Sequence, residues 1–436
     1  MWIRKQFDIG WFDLAFGLSA AVLGRSQHRQ QALDSIKEFW PEADPSLFLS
    51  VRSGFDCLMQ STDWQSGDEV IMSGLTIPDM PRIVETAGFR VVAVDINQAT
   101  MAPDPAAVAR AITPNSRAIV IAHLFGNRIP LEPYAKLARK HNLILIEDCA
   151  QHFRFGYSGN SFADVSMFSF GPIKSCSALG GSVFQIRNAL LRKHVESKAR
   201  TYRRQSNLGF AKRILKYCML KVLSKRIWTA AIFRLIKLTG RDSDSVVSSM
   251  ARGFSGSDFF DRIRHQPSTA LLGLMARRLT TFERNKLEHR IEQVSFLAGQ
   301  LSPSINLAFD CTRLNDSTFW VTPVHSVSAE TSRDLVAALS SEGFDASQRS
   351  SLVAVSSTDS GTGLPIASSF LDRMVLLPIC NEMKPSDLKQ MADIVNGVCL
   401  AEEVRALEAD KTAQCQSYEL ARAYSCGHKP AEHRAT

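Results

Sequence analysis

One lysine, Lys174, stands at the end of Phe168-Ser169-Phe170-Gly171-Pro172-Ile173-Lys174, with a second apolar run, Leu179 to Phe184, close behind it. A compact loop between buried strands strips water from an ammonium group, lowers its pKa and leaves an amine able to attack a carbonyl carbon. The plain alternative is a solvated loop lysine, the usual state of this residue type. Upstream, Asn142-Leu143-Ile144-Leu145-Ile146 reads as a continuous apolar strand closing on Glu147 and Asp148. In open α/β sheets ligands gather at the carboxyl ends of such strands, so Asp148 is poised at a site instead of on a solvated face.

A carboxylate and an amine on successive strand ends match the needs of pyridoxal phosphate. That cofactor takes a carboxylate against its pyridine nitrogen and a lysine in Schiff-base linkage. Asp148 and Lys174 are the two residues of those types.

The surrounding motifs resemble the DegT/StrS sugar aminotransferases, which have the aspartate aminotransferase type of fold. The pieces that carry the resemblance are Ser66-Gly67-Asp68-Glu69-Val70-Ile71, Gly88-Phe89-Arg90 through Asp95, Ile112-Thr113-Pro114, Ala122-His123-Leu124-Phe125-Gly126, Ile146-Glu147-Asp148-Cys149-Ala150-Gln151, and Phe168-Ser169-Phe170 to Lys174. They cover about a third of the chain in the family's order, and the likeness returns at Leu376-Leu377-Pro378. By resemblance, Lys174 is the Schiff-base lysine, Asp148 the partner of the pyridine nitrogen, Gln151 a neighbour of the ring and its hydroxyl, and Ser169 a phosphate ligand. A helix N-terminus suits the rest of the phosphate. Ungapped alignment from Asp68 puts Arg52 where many relatives have threonine, with Ser53 next, and a guanidinium matches phosphate oxygens well. An N-cap beside a surface arginine is the alternative there. Two departures concern the substrate side: Ile77 replaces the usual aromatic over the ring, and Arg262 stands where relatives place an asparagine.

The elements that must position these residues follow from periodicity. Short apolar runs at Val70-Ile71-Met72, Val91 to Val94, Ala118 to Ile121, Leu143 to Ile146, Val165 to Phe168 and Ser182-Val183-Phe184 alternate with helical patterns at Pro81 to Ala87, Pro105 to Ile112 and Leu131 to His141. This alternation predicts an α/β class, a large domain with a mostly parallel sheet flanked by helices, followed by a smaller C-terminal α+β domain. The expected divisions are an arm over 1–44, a large domain over 45–275, a small domain over 276–405 and a loose tail over 406–436. Ala270 to Leu301 reads as one long helix.

Composition fits an enzyme of this size: 436 residues, 45% hydrophobic and 22% charged, enough to bury a sizeable core. The nine cysteines are scattered without CxxC spacing, so free thiols in a reducing cytoplasm are expected, with neither a disulfide framework nor a metal site. Cys149 and Cys176 read as buried fillers. Asp8 and Asp13 interrupt the apolar N-terminal run, which therefore reads as an amphipathic arm and not a signal peptide.

From about 187 to 241 the chain carries many Lys and Arg against the single acid Glu196, interleaved with Leu, Ile, Phe and Trp. Residues 208–238 fit a basic amphipathic segment lying on an anionic membrane, or a helical insertion packed on the body or on a dimer partner. The apolar face is too continuous for nucleic acid. The expectation is a cytoplasmic, homodimeric aminotransferase moving an amino group from an amino acid donor such as glutamate to a keto group on a nucleotide- or lipid-linked sugar. The location extends to the inner membrane surface if the basic segment touches lipid. Alternatives are a regulatory or membrane-associated protein that keeps the fold, or a dehydratase. Retention of Lys174 argues against both.

Overall fold

The computed structural model describes residues 1–4, 7–24, 26–40, 44–223, 258–303, 305–348, 351–355, 364–402 and 405. Helices α1 (Trp11–Leu23) and α2 (Ser26–Phe39) precede β1 (Ser46–Phe48) and α3 (Val51–Met59). Then come β2 (Glu69–Ser73), β3 (Leu75–Thr76), α4 (Asp79–Thr86), β4 (Arg90–Val94), α5 (Pro105–Ala111), β5 (Ser116–Ala122), α6 (Glu132–His141), β6 (Ile144–Cys149), β7 (Val165–Ser169) and β8 (Ser182–Ile186).

These strands build a seven-stranded sheet in the order β1-β8-β7-β6-β5-β2-β4. The run from β7 to β4 is parallel, while β8 is antiparallel to both β7 and β1. Continuous apolar strands are what a sheet covered on both faces demands. Successive residues still alternate between the two faces. Along β5, Ala118 and Val120 join the core beneath α3 and α4, whereas Ile119 and Ile121 join the core beneath α6. Residues of β6 sort the same way, Ile146 to the first core and Leu145 to the second.

Helix ends follow local chemistry. Ser50 caps α3 by accepting from Ser53 N, and Asp104 caps α5 through Ala107 N with Pro105 in the first turn. Helix α6 stops at Asn142, which takes the left-handed conformation that the short Asn side chain tolerates.

Beyond the sheet lie α7 (Ala189–Arg200), β9 (Arg203–Arg204), α8 (Asn207–Leu223), α9 (Phe259–Ile263), β10 (His265–Gln266), α10 (Thr269–Thr281) and α11 (Asn285–Gln300). The single long helix expected over Ala270 to Leu301 is therefore two. Phe282 turns extended (φ −69°, ψ 127°), and its ring is buried edge-on to Phe153 with centroids 5.4 Å apart. Thr280 and Thr281 hydroxyls donate back to the Arg277 carbonyl, a local competition that favours ending the helix. The last part holds β11 (Asn306–Leu307), β12 (Val321–His325), α12 (Ala329–Ser341), β13 (Val353–Ala354), α13 (Pro365–Arg373), β14 (Met374–Pro378) and a helix over 385–402. Strands β11, β12 and β14 make an antiparallel sheet, and β13 pairs with β3. This sheet meets the larger one at Gly126, where any Cβ would come within 2.3 Å of the Thr318 carbonyl oxygen.

Within the expected arm, helices α1 and α2 pack on the body. Leu14 and Gly17 of α1 and Ala32 and Ile36 of α2 are buried in the core shared with α10. The expected tail over 406–436, and the part of the basic segment from 224 to 241, lie outside the described residues.

Candidate active site

Strand β7 ends at Ser169, and the chain turns so tightly that Lys174 N reaches the Gly171 carbonyl at 3.1 Å. The Phe170 carbonyl then accepts from both Ala178 N and Gly180 N at 3.0 Å, closing a loop that feeds β8. Cys176 and Leu179 hold positive φ within it (56° and 60°), an uncommon conformation for residues with a Cβ. The N-terminal segment pins this loop. Asp8 Oδ2 accepts from Cys176 N at 2.7 Å, and the buried Arg278 donates to the Ser177 carbonyl, the Asp8 carbonyl and Asp13 Oδ2.

Lys174 sits in that loop with Asp148 and Arg52 close enough to act on its charge. Burial drives its amine down to about 8; the Asp148 carboxylate opposes that shift and the Arg52 guanidinium adds to it. A Cβ placed on Gly171 would lie 3.6 Å from Ser169 Oγ and 3.7 Å from Lys174 Cγ, so both side chains flank the same bare backbone. Asp148, at the end of β6, takes one hydrogen bond from its own loop, Ala150 N to Oδ1 at 2.8 Å. Burial raises its pKa, while that bond and the charge of Lys174 pull it back.

Arg52 occupies the first turn of α3, with its Nε bound to Asp79 Oδ2. Ser53 is buried beside it, its hydroxyl 2.9 Å from that of Ser50. Gln151 is held apart from these: its Oε1 accepts from Phe125 N and from Trp320 Nε1, each at 3.1 Å. Ile77 follows β3 and packs, partly buried, with the apolar clusters around Phe55 and Phe125. Arg262 pairs with Asp258 on the surface of α9.

A cavity of about 410 Å³ opens over the lysine, lined by Lys174, Ser175, Trp320, Lys286 and Arg290 among others. Arg290 is the unexpected member. Its Nε is buried with no hydrogen-bond partner among the described residues, and its Nη1 approaches Ser175 Oγ at 3.5 Å. Burial lowers its pKa against the pull of Asp8 and other anionic groups. The sequence does hold a signal for it. Leu287, Val294 and Leu297 form the buried stripe of α11, and position 290 falls on that stripe. Trp320 carries no comparable signal, because its hydrogen bond to Gln151 exists only after the two sheets meet.

Behind Asp148 the carboxylate of Glu147 accepts from His123 Nε2 (2.8 Å), Ser166 Oγ (2.6 Å), Asn160 N (2.9 Å) and Tyr157 Oη. Ile129 N donates to His123 Nδ1, so the ring carries its proton on Nε2. Although His123, Glu147 and Cys149 bring donor atoms within 4.8 Å of one another, both ring nitrogens and both carboxylate oxygens are occupied by hydrogen bonds.

Residues 49–214, which contain this loop, both strand ends and the α3 turn, match the DegT/DnrJ/EryC1/StrS aminotransferase family. Over this segment the chain is similar to that family. It is similar to a pleiotropic regulatory protein of Geobacillus stearothermophilus, 31% identical over 34% of this chain and 43% of that one. It is also similar to the UDP-N-acetyl-3-dehydro-alpha-D-glucosamine 3-aminotransferase of Acidithiobacillus ferrooxidans, 37% identical over 30% of this chain and 37% of that one. The match thus spans less than half the length of these relatives. At 15% identity, NtdA of Bacillus subtilis, solved with the cofactor PMP bound, shares the fold with a TM-score of 0.66 over 91% of this chain and 86% of its own.

The family is one of pyridoxal-phosphate proteins, and the residues present fit the group. A desolvated amine held near neutrality, a carboxylate with free accepting capacity on the next strand end, and a helix N-terminus bearing Arg52 suit its carbonyl, its ring nitrogen and its phosphate respectively.

Proposed function

We propose that the protein is an aminotransferase that uses pyridoxal phosphate to move an amino group from an amino acid, glutamate in the first instance, to a keto group of a nucleotide- or lipid-linked sugar. The balance is a 2-amino acid and a keto sugar giving a 2-oxo acid and an amino sugar. The observation that carries this reading is the buried Lys174 amine, lowered to about 8 and under the influence of the Asp148 charge. Bound pyridoxal phosphate supplies an electrophilic carbonyl carbon and an electron-withdrawing ring.

Lys174 would hold the carbonyl carbon of the cofactor and would take and return a proton at Nζ, for which a pKa near the working pH is best. Asp148 keeps the ring nitrogen protonated. Ser169, Ser53 and Arg52 would bind the phosphate, Gln151 would serve the ring hydroxyl, and Ile77 would offer the ring an apolar cover. Lys286 is paired with Glu283, whereas Arg290, with a buried Nε left without a partner among the described residues, offers the cavity a cation suited to a donor carboxylate or an acceptor phosphate. The sugar acceptor is supported by the relative that acts on a UDP-sugar. The protein works in the cytoplasm as a homodimer, and residues 208–238 touch the inner membrane surface.

The test is the absorbance spectrum of purified protein supplied with pyridoxal phosphate, before and after glutamate. A visible cofactor band that glutamate shifts, and that Lys174→Ala abolishes, supports the reading. A protein that takes up no cofactor sinks it and returns the fold to a regulatory or scaffolding role.

A further inference from the structure

Helices α1 and α8 lie antiparallel against each other and bury their inner faces on α10. The asparagine that opens α8, Asn207, lies beside Gly24, where a Cβ would come within 3.1 Å of its Nδ2. Midway, a Cβ on Gly17 would meet Ile214 Cδ1 at 2.9 Å and Leu274 Cδ2 of α10 at 3.2 Å. At the far end, Lys221 Nζ stands 5.9 Å from the Trp11 ring centroid. Phe210, Ile214 and Tyr217 form the buried side of α8, with Leu14 and Gly17 facing them from α1.

The outer sides are apolar as well. On α1, Phe12 is 85% exposed and Val22 82%. On α8, Leu208, Leu215, Met219 and Val222 are exposed, and they recur at the spacing of one helical face. Scattered exposed apolar residues are ordinary, but two adjacent helices that bury one side and present large apolar side chains on the other form a patch of the kind that marks an interaction surface. Lys212 and Lys216 are exposed on the same side of α8, which has no acidic residue. The one acid of α1, Asp13, is buried against Arg277 and Arg278. Among the described residues no helix is long and apolar enough to cross a membrane.

We infer that the paired outer faces of α1 and α8 dock on the surface of an anionic bilayer, with Phe12, Val22, Leu208, Leu215 and Met219 entering the acyl boundary and Lys212 and Lys216 meeting the headgroups. Apolar burial and attraction to anionic lipid act together in such a surface, and neither alone gives firm binding. Phe12 of α1 and Lys221 of α8 also line the cavity that holds Lys174. Docking therefore brings the mouth of that cavity to the bilayer surface. This inference rests on the membrane contact proposed for residues 208–238; it adds α1 to the surface and fixes the orientation.

The experiment is co-sedimentation of the full chain with vesicles of phosphatidylcholine, alone or mixed with phosphatidylglycerol. Binding to the mixed vesicles only is expected, and Lys212→Glu/Lys216→Glu should weaken it about 30-fold or more at roughly 1 kcal/mol per lysine. Leu215→Ser/Met219→Ser should weaken it as well, with the cofactor band and its response to glutamate unchanged in both variants. Brominated lipid should quench tryptophan fluorescence, and Trp11→Phe, at a half-exposed position at the start of α1, should reduce that quench. The inference is overturned if the parent does not bind the anionic vesicles or if both double variants bind as the parent does. It is equally overturned if the same substitutions instead dissolve an oligomer measured by light scattering, which would make the face a contact between two copies. Loss of vesicle binding with a normal cofactor spectrum leaves the aminotransferase reading standing, so the two can fail separately.

Discussion

Glu147 and Asp148 are adjacent carboxylates on one strand, and they live in opposite surroundings. Strand alternation sends Glu147 to the α6 side of the sheet, where four donors from His123, Tyr157, Asn160 and Ser166 meet its two oxygens. Burial alone would raise its pKa, but the hydrogen bonds of His123, Ser166 and Tyr157 outweigh burial and hold it far below the ordinary carboxylate range. Asp148 turns to the α3 side, receives one hydrogen bond from Ala150 N, and has its pKa raised by burial. The first carboxylate has no accepting capacity to spare and the second has most of it. A single step along a strand separates a group that holds the sheet together from one left open for a ligand.

The comparison breaks first at Asp148. Asp148→Asn should lower kcat by about 10²- to 10⁴-fold, the usual range for a group that sets protonation at the reacting centre. The denaturation midpoint should stay close to that of the parent. A variant that unfolds would show that Asp148 is structural after all. Glu147→Ala should invert the pattern, costing about 3–5 kcal/mol of stability because it leaves His123, Ser166 and Tyr157 buried without their acceptor. Urea unfolding measures it; a loss of turnover with unchanged stability would place Glu147 in the chemistry instead.

How much of this was legible before folding depends on where the information sits. Asp148 and Lys174 could be read because each belongs to a local pattern, an apolar strand with a polar end and a tight loop between two apolar runs. The six apolar strand segments from Val70 to Phe184 could be read for the same reason. Glu147 sits in the same strand, but its partners come from the residue after β5, from β7 and from the loop between β6 and β7, and only the register that sets Glu147 opposite Ser166 brings them together. Trp320 and Arg290 reach the site from more than a hundred residues along the chain. The false continuity of α10 and α11 has the opposite cause. Helical periodicity runs through Phe282, and the tertiary contact with Phe153 overrides it.

Arg290 sharpens the comparison on the cavity side, since it too is a buried charge with unused hydrogen-bonding capacity. Arg290→Gln should raise KM for donor or acceptor by about tenfold or more, with a smaller change in kcat, because a charge-assisted hydrogen bond contributes about 1.5–3 kcal/mol. Steady-state kinetics with both substrates varied identifies which one it meets. No change in either KM would mean that Arg290 serves the packing of α11 alone.

The smallest effect tests whether Asp148 and Arg52 set the lysine as the geometry implies. Lys174 must be neutral to attack a carbonyl carbon, and with its pKa lowered to about 8 the reactive fraction rises with pH through that value. The rate of cofactor uptake should therefore climb across the same range. Burial is the main cause of the lowering, so neither neighbour should abolish it. Arg52 adds to the lowering, hence Arg52→Gln should move the profile to higher pH. Asp148 opposes it, hence Asp148→Asn should move the profile to lower pH. The two displacements must have opposite signs, each by about a unit or less, as for charges partly shielded by water. Displacements in the same direction would mean that Lys174 is governed by a group other than the carboxylate on the α3 face of β6.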